Sequence, residues 1–232
     1  MEKLLLTLIG IATLTHIAKA DDIALSWDFG VGTPNNAPSV GTPSNFAVSA
    51  FTLGNSLGNV TTPINTSSAS TGYPGASGSE NLGNAVKIGA IDVTTSAYYE
   101  FTLTADPGYT VSLTNFDFGS RSTATGPKSF ALYSSADSYT ASLFTGTLLS
   151  NSTWAFFDNS ISSPVVSDGG GALTYRLFLY DGTGSPASGT ENNRIDDVSM
   201  TVTTAPIPEP GTVALVGLGL GAILFGVRRR RA

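Results

Sequence analysis

Between residues 21 and 204 the chain repeats one device: a short run of alternating apolar and polar residues, then a cluster of Gly, Ser, Asn or Pro. Tyr99, Phe101 and Leu103 alternate with Glu100, Thr102 and Thr104, and Leu173, Tyr175, Leu177 and Leu179 repeat the pattern. A period of two puts alternate side chains on opposite faces of a strand, whereas a surface helix needs apolar residues three and four apart. Strands are therefore expected at 23–29, 46–53, 86–93, 98–104, 110–118, 129–133, 143–149, 153–157, 173–180 and 198–203. The same stretch holds no credible amphipathic helix. Strands without helices bury their apolar faces against a second sheet, so the expected fold is all-β, a jelly-roll-like two-sheet β-sandwich. The stretch 54–84, rich in Gly, Ser and Asn, breaks the pattern and reads as a disordered segment or flexible flap.

Missing residues exclude chemistry. There is no cysteine, so no disulfide holds the domain. The single histidine, His16, lies near the start. Without Cys or His the body cannot run a Ser-His-Asp triad or a Cys-His pair, nor build the usual zinc site. Carboxylate chemistry, Tyr, Lys and oxygen-ligated calcium remain. A glycosidase needs two acids about 5 Å or roughly 6.5–9.5 Å apart, and sequence spacing selects no such pair from Glu80, Glu100, Glu191 and the aspartates.

Both ends carry addresses. Residues 1–20 have Lys3, an apolar run and Ala18-Lys19-Ala20 before two aspartates, which reads as a secretory signal peptide cleaved after Ala20. At the other end, 205–232, Pro208-Glu209-Pro210 precedes an uncharged apolar span at about 211–227 and then Arg228, Arg229, Arg230 and Arg231. At about 1.5 Å per residue a helix over that span reaches roughly 26 Å, close to a bilayer core if the arginines snorkel. Basic flanks stay cytoplasmic, so the body is expected outside. With the ends set aside, Lys87, Arg121, Lys128, Arg176 and Arg194 face 15 acidic residues, a balance of −10. That charge disfavours nucleic acid as a partner. Contact with a polysaccharide would have to use aromatic faces, hydroxyls or bridging cations.

The order Pro-Glu-Pro, Gly-rich apolar span and terminal Arg cluster resembles the PEP-CTERM sorting signal of Gram-negative bacteria. The resemblance implies recognition by an exosortase, an integral-membrane Cys transpeptidase-like enzyme that cuts near Pro208, Glu209 and Pro210. It further implies export through the translocon, cleavage by signal peptidase, passage through the inner membrane and arrival at the cell surface or extracellular matrix, in bacteria that make exopolysaccharide. The leading expectation for the domain is then a non-enzymatic surface or matrix protein. A carbohydrate-binding jelly-roll module comes second and a carboxylate-based glycoside hydrolase third.

Two sets of residues are candidate sites. Arg194-Ile195-Asp196-Asp197-Val198 resembles the end of jelly-roll domains in many PEP-CTERM proteins, where carbohydrate-binding jelly rolls often hold a structural calcium. Counting by two from Val198, Met200 and Val202 puts Asp196 and Arg194 on the same inward face. A calcium would then gather Asp28, Asp196 and Asp197; a surface ion pair between Arg194 and Asp196 is the plainer reading. The second set is a sugar platform from Tyr73, Tyr139 and Trp154 with Phe156 and Phe157. A Trp in a β-sandwich is more often core, which is the expectation for both Trp27 and Trp154.

Overall fold

The computed structural model describes residues 19–58, 60, 64–65, 68–167, 169–187 and 189–208. The expected signal peptide up to Ala18, and the tail from Glu209 through the arginines, lie outside these residues. Ala20 is exposed and precedes the first strand directly.

Among the described residues twelve strands follow in order: β1 (Asp21–Trp27), β2 (Phe46–Val48), β3 (Thr52–Gly54), β4 (Ile64–Asn65), β5 (Asn81–Asn84), β6 (Tyr98–Ala105), β7 (Tyr109–Ser122), β8 (Ser129–Ser134), β9 (Ser142–Thr147), β10 (Trp154–Phe157), β11 (Ala172–Tyr180) and β12 (Asn193–Pro206). One sheet runs β10-β7-β12-β5-β4, with β1 beside β12; the other runs β2-β6-β11-β8-β9, with β3 beside β6. All these pairings are antiparallel. Without the four short strands β2 to β5, the orders become β1-β12-β7-β10 and β6-β11-β8-β9. That interleaving, first strand beside last and second beside next to last, is the double Greek key of a jelly roll.

The faces turned toward each other are strongly apolar, and aromatics dominate. Phe101 of β6 stacks between Phe116 of β7 and Tyr175 of β11, with ring centroids 5.2 Å apart in both pairs. Phe51, Phe118 and Phe130 extend the layer. Offset stacks add to the area they bury, and large rings fill a core that has no disulfide to support it. Trp27 is buried in this layer, as expected. Among the described residues every strand and the core cluster lie between Asp21 and Pro206, so this stretch carries a hydrophobic core of its own.

The strand at 86–93 is not formed. Its place beside β12 is taken by Asn81–Asn84, polar in sequence yet buried throughout. Asn81 Nδ2 donates to Ser68 O and Asn84 Nδ2 to Tyr98 O, so the buried amide nitrogens find partners where an alternation rule looks for aliphatics, while both side-chain oxygens go without. Ile88 is left exposed. The expected 46–53 strand is split in two, with β2 and β3 both pairing β6. Among the described residues the only helical turn is a short 3-10 segment, Ser135–Asp137, and no helix is long and apolar enough to cross a membrane.

Candidate functional site

The site begins at a bulge in β12. Asp196 lies opposite Gly119 of β7 and Ser199 opposite Asp117, so β12 carries one residue more than its neighbour over this interval. Asp197 takes the extra place with a left-handed φ of 47. The bulge resets the alternation: Ile195 and Val198 both enter the core, and Asp196 therefore faces outward, with Arg194. The inward placement expected from counting back by two fails for this reason. The expected Arg194–Asp196 ion pair is not the one formed, because Arg194 pairs with Glu191 at 2.9 Å.

Outward does not mean exposed. A strap, residues 68–80, crosses the outer face of this sheet. It lies in the stretch that reads as a loose flap, yet the structure ties it down. The Asp197 carboxylate accepts from Ser70 Oγ at 2.7 Å, Tyr73 Oη at 2.5 Å, Ser77 N at 3.1 Å and Ser77 Oγ at 2.7 Å. Its end is tied by Ser79 N and Glu80 N, which donate to Gly30 O. Desolvation, with the Asp197 carboxylate as second cause, pushes the Tyr73 hydroxyl far above its ordinary range and keeps it a donor.

Beneath the strap Asp196 is completely buried. Its Oδ1 accepts from Asp197 N at 2.8 Å and its Oδ2 has no hydrogen-bond partner. Burial, then the charge of Asp197 and more weakly that of Asp28, raises its carboxyl to about 8. Asp28 keeps Oδ1 on Gly30 N at 3.1 Å. The three acids expected to share a calcium are thus neighbours in unlike states: Asp197 saturated, Asp196 buried with a free oxygen, Asp28 at the rim. Among the described residues no three carboxyl, His or Cys side chains already converge on one metal position.

Two clefts flank the strap. One, about 490 Å³, is lined by Arg121, Ser152, Thr153 and Trp154 on the sheet side and by Ser68, Ala69, Thr71 and Gly72 of the strap. The other, about 370 Å³, lies between Asp28, Val40, Pro74, Ser77 and Phe156. On β10, Trp154 and Phe156 face out while Phe157 packs inward on Phe118 and Phe130. Phe156 sits 5.6 Å from the Tyr73 ring. Three of the platform candidates, Tyr73, Trp154 and Phe156, thus come together, and Trp154 is not core.

Tyr139 does not join them. Its ring lies on the opposite sheet, 4.2 Å from the Arg176 guanidinium, which Tyr98 covers at 4.4 Å and Glu100 holds at 2.7 Å. Ser70 and Ser77, which complete the clamp on Asp197, carry no sequence signal beyond lying in a Gly/Ser-rich stretch. The adjacent acids before Val198 were the one hint of a bulge.

Comparison with known proteins gives the outer address. No curated protein matches the chain. Similar solved structures include the K1 cleaved adhesin domain of Lys-gingipain from Porphyromonas gingivalis W83, at 14% identity and TM-score 0.33 over 76% of this chain and 96% of that one. They also include isomalto-dextranase of Arthrobacter globiformis T6, at 10% identity and TM-score 0.34 over 79% of this chain and 32% of that one. A ruminal GH26 endo-β-1,4-mannanase matches at 14% identity and TM-score 0.25 over 49% of this chain and 18% of that one. The chain thus spans less than a third of either enzyme's length, and likenesses at these scores carry no argument about function. Residues 206–231, in contrast, match the family described as PEP-CTERM protein-sorting motif. That match covers the Pro-Glu-Pro element, the apolar span and the arginines, so the chain carries a PEP-CTERM sorting motif, which indicates an exported protein processed at the membrane and implies an exosortase as its processing partner.

Proposed function

We propose that the β-sandwich is a non-enzymatic surface or matrix protein that holds exopolysaccharide on its strapped face. The observation that carries this reading is the convergence of Trp154, Phe156 and Tyr73 beside a cleft of about 490 Å³ over Arg121. Aromatic faces stack on the C–H faces of sugar rings. The hydroxyls of Ser68, Thr71, Ser152 and Thr153 supply donors and acceptors along the same cleft. Arg121 donates through Nε to Ser152 O, which holds its guanidinium in the cleft wall as a further donor to sugar hydroxyls. Glu80 and Asp196 are fully buried and out of reach of a polymer. The test is co-sedimentation and glycan-array binding of residues 21–208, with Trp154→Ala as control. Binding that is equal in parent and variant, or absent from both, rejects this face as the site.

A further inference from the structure

The second cleft, about 370 Å³, is apolar on its rim and acidic on its sheet side. Val40, Pro74 and Phe156 reach it from three separate segments, and Val40 and Phe156 stay 66% and 41% exposed. Apolar side chains gathered at a concavity, rather than scattered singly, mark a place where a ligand is held. Tyr73 backs the Phe156 ring and fixes it as a stacking surface.

On the sheet side Ser26 of β1 stands opposite Ser199 of β12, and Asp28 and Asp197 line the cleft with them. Asp28 Oδ1 accepts from Gly30 N at 3.1 Å, and among the described residues nothing donates to its Oδ2. Four donors satisfy the Asp197 oxygens without removing their charge. Ser199 Oγ donates to Asp117 Oδ2 at 3.3 Å, which places a third carboxyl behind the lining. No Lys, Arg or His is among the lining residues; Arg121 lines the other cleft and Arg194 is held by Glu191. A concavity lined by one sign of charge concentrates the opposite sign, and the balance of −10 over the body acts the same way at longer range.

We infer that this cleft is a subsite for a protonated amino sugar, a hexosamine unit without an acyl group, with its ammonium on Asp28 and its ring on Phe156. An ammonium offers three donors and no acceptor, which suits an unfilled carboxylate oxygen beside serine hydroxyls. An acylated unit brings no charge and leaves that carboxylate without a counterion. Trp154 and Phe156 lie two positions apart on one face of β10, roughly 7 Å by the rise of a strand, so a chain stacked on Trp154 continues toward this cleft. The inference rests on the polysaccharide reading and names the class of sugar that the strapped face selects.

The test is calorimetric titration of residues 21–208 with a glucosamine oligosaccharide and with its fully N-acetylated counterpart of equal length. The amine form should bind at least about tenfold tighter, and the advantage should shrink as salt is raised. Asp28→Asn keeps an acceptor for Gly30 N and should abolish most of that preference. A cationic oligomer is drawn to any acidic protein, so Asp106→Asn serves as the charge-matched control. Asp106 is exposed in the turn before Tyr109, which pairs with Pro206 at the far end of β12, and its replacement should leave the preference intact. An amine form that binds no tighter than the acetylated one overturns the subsite. So does a preference that survives Asp28→Asn or is lost equally in Asp106→Asn. Oligolysine that binds as tightly as the amine oligosaccharide, and is as sensitive to Asp28→Asn, overturns it in favour of a basic peptide. If both oligosaccharides bind equally and both weaken in Trp154→Ala, the amine subsite falls while the polysaccharide reading stands.

Discussion

Tyr73 Oη donates to Asp197 Oδ2 at 2.5 Å although 124 positions separate the two residues. The bond exists because Asp197 occupies the extra place in a bulged strand. The left-handed turn of its backbone lifts the carboxylate off the ladder and toward the strap. One backbone irregularity thereby fixes three things: the course of the strap, the burial of Asp196 and the position of the Tyr73 ring beside Phe156.

Removing that acceptor should release the strap. Hydrogen bonds to a charged group contribute about 1.5–3 kcal/mol each and do not add fully. Asp197→Ala is therefore expected to lower stability by about 2–4 kcal/mol in urea unfolding and to open residues 68–80 to limited proteolysis. Tyr73→Phe, which loses one bond of the four, should cost about 1.5–3 kcal/mol. An Asp197→Ala protein as stable and as resistant as the parent would show that the strap is held elsewhere.

Gly119 reports the same geometry from below. A Cβ at this position would sit 1.9 Å from Tyr73 Oη and 2.5 Å from Tyr73 Cζ, so alanine must push the ring off the sheet. Overpacking of this kind typically costs about 1–3 kcal/mol. Gly119→Ala should lose about that much in the parent but little when made in a Tyr73→Ala background. If Gly119→Ala costs as much without the Tyr73 ring as with it, the ring does not rest where described.

Much of the sandwich was legible because its long strands obey the simplest rule. Tyr99, Phe101, Leu103, Leu173, Tyr175 and Leu177 alternate in sequence and enter the core as alternation requires. β5 was illegible for the opposite reason: Asn81 and Asn84 are buried through hydrogen bonds, and hydropathy does not record those. The phase of β12 was misread because one inserted residue inverts every side chain upstream of it. The acids of the site were visible as Asp28, Asp196 and Asp197, yet their division of labour was not. Which of them is saturated depends on Ser70, Tyr73 and Ser77, brought over β12 by a stretch with no periodicity.

Acidity gives a further check, made in chelator so that no cation competes. Asp196 titrates near 8 in the fold, well above an ordinary Asp, with burial as the main cause and Asp197 next. The fold therefore favours the neutral acid. The stability this contributes is fully present below about pH 4 and is lost as pH rises through about 8, on the order of a few kcal/mol. Unfolding free energy of the metal-free domain should fall across that window, and Asp196→Asn should remove most of the slope. An identical pH profile for both proteins would mean that Asp196 is ionised throughout.

The tail is expected to act independently of the sandwich. Replacing Arg228, Arg229, Arg230 and Arg231 with Asn, or deleting Pro208, Glu209 and Pro210, should leave an unprocessed precursor in the membrane fraction of the host. Unchanged processing of both variants, followed by mass spectrometry of the mature C-terminus, would show that these residues are not the exosortase signal.

Tryptophan fluorescence tests the central claim most directly. The chain holds two tryptophans; Trp27 is only 1% exposed, at the wall of the second cleft, so a ligand stacked on β10 acts chiefly on the emission of Trp154, and the Trp154→Phe variant separates the two. Residues 21–208, titrated with exopolysaccharide purified from the host, should show a saturable change in emission. Trp154→Phe should abolish that change and weaken co-sedimentation at least tenfold, while leaving the melting temperature within about 2 °C. Emission that stays constant through the titration, or co-sedimentation that Trp154→Phe leaves intact, would contradict polysaccharide binding at this face.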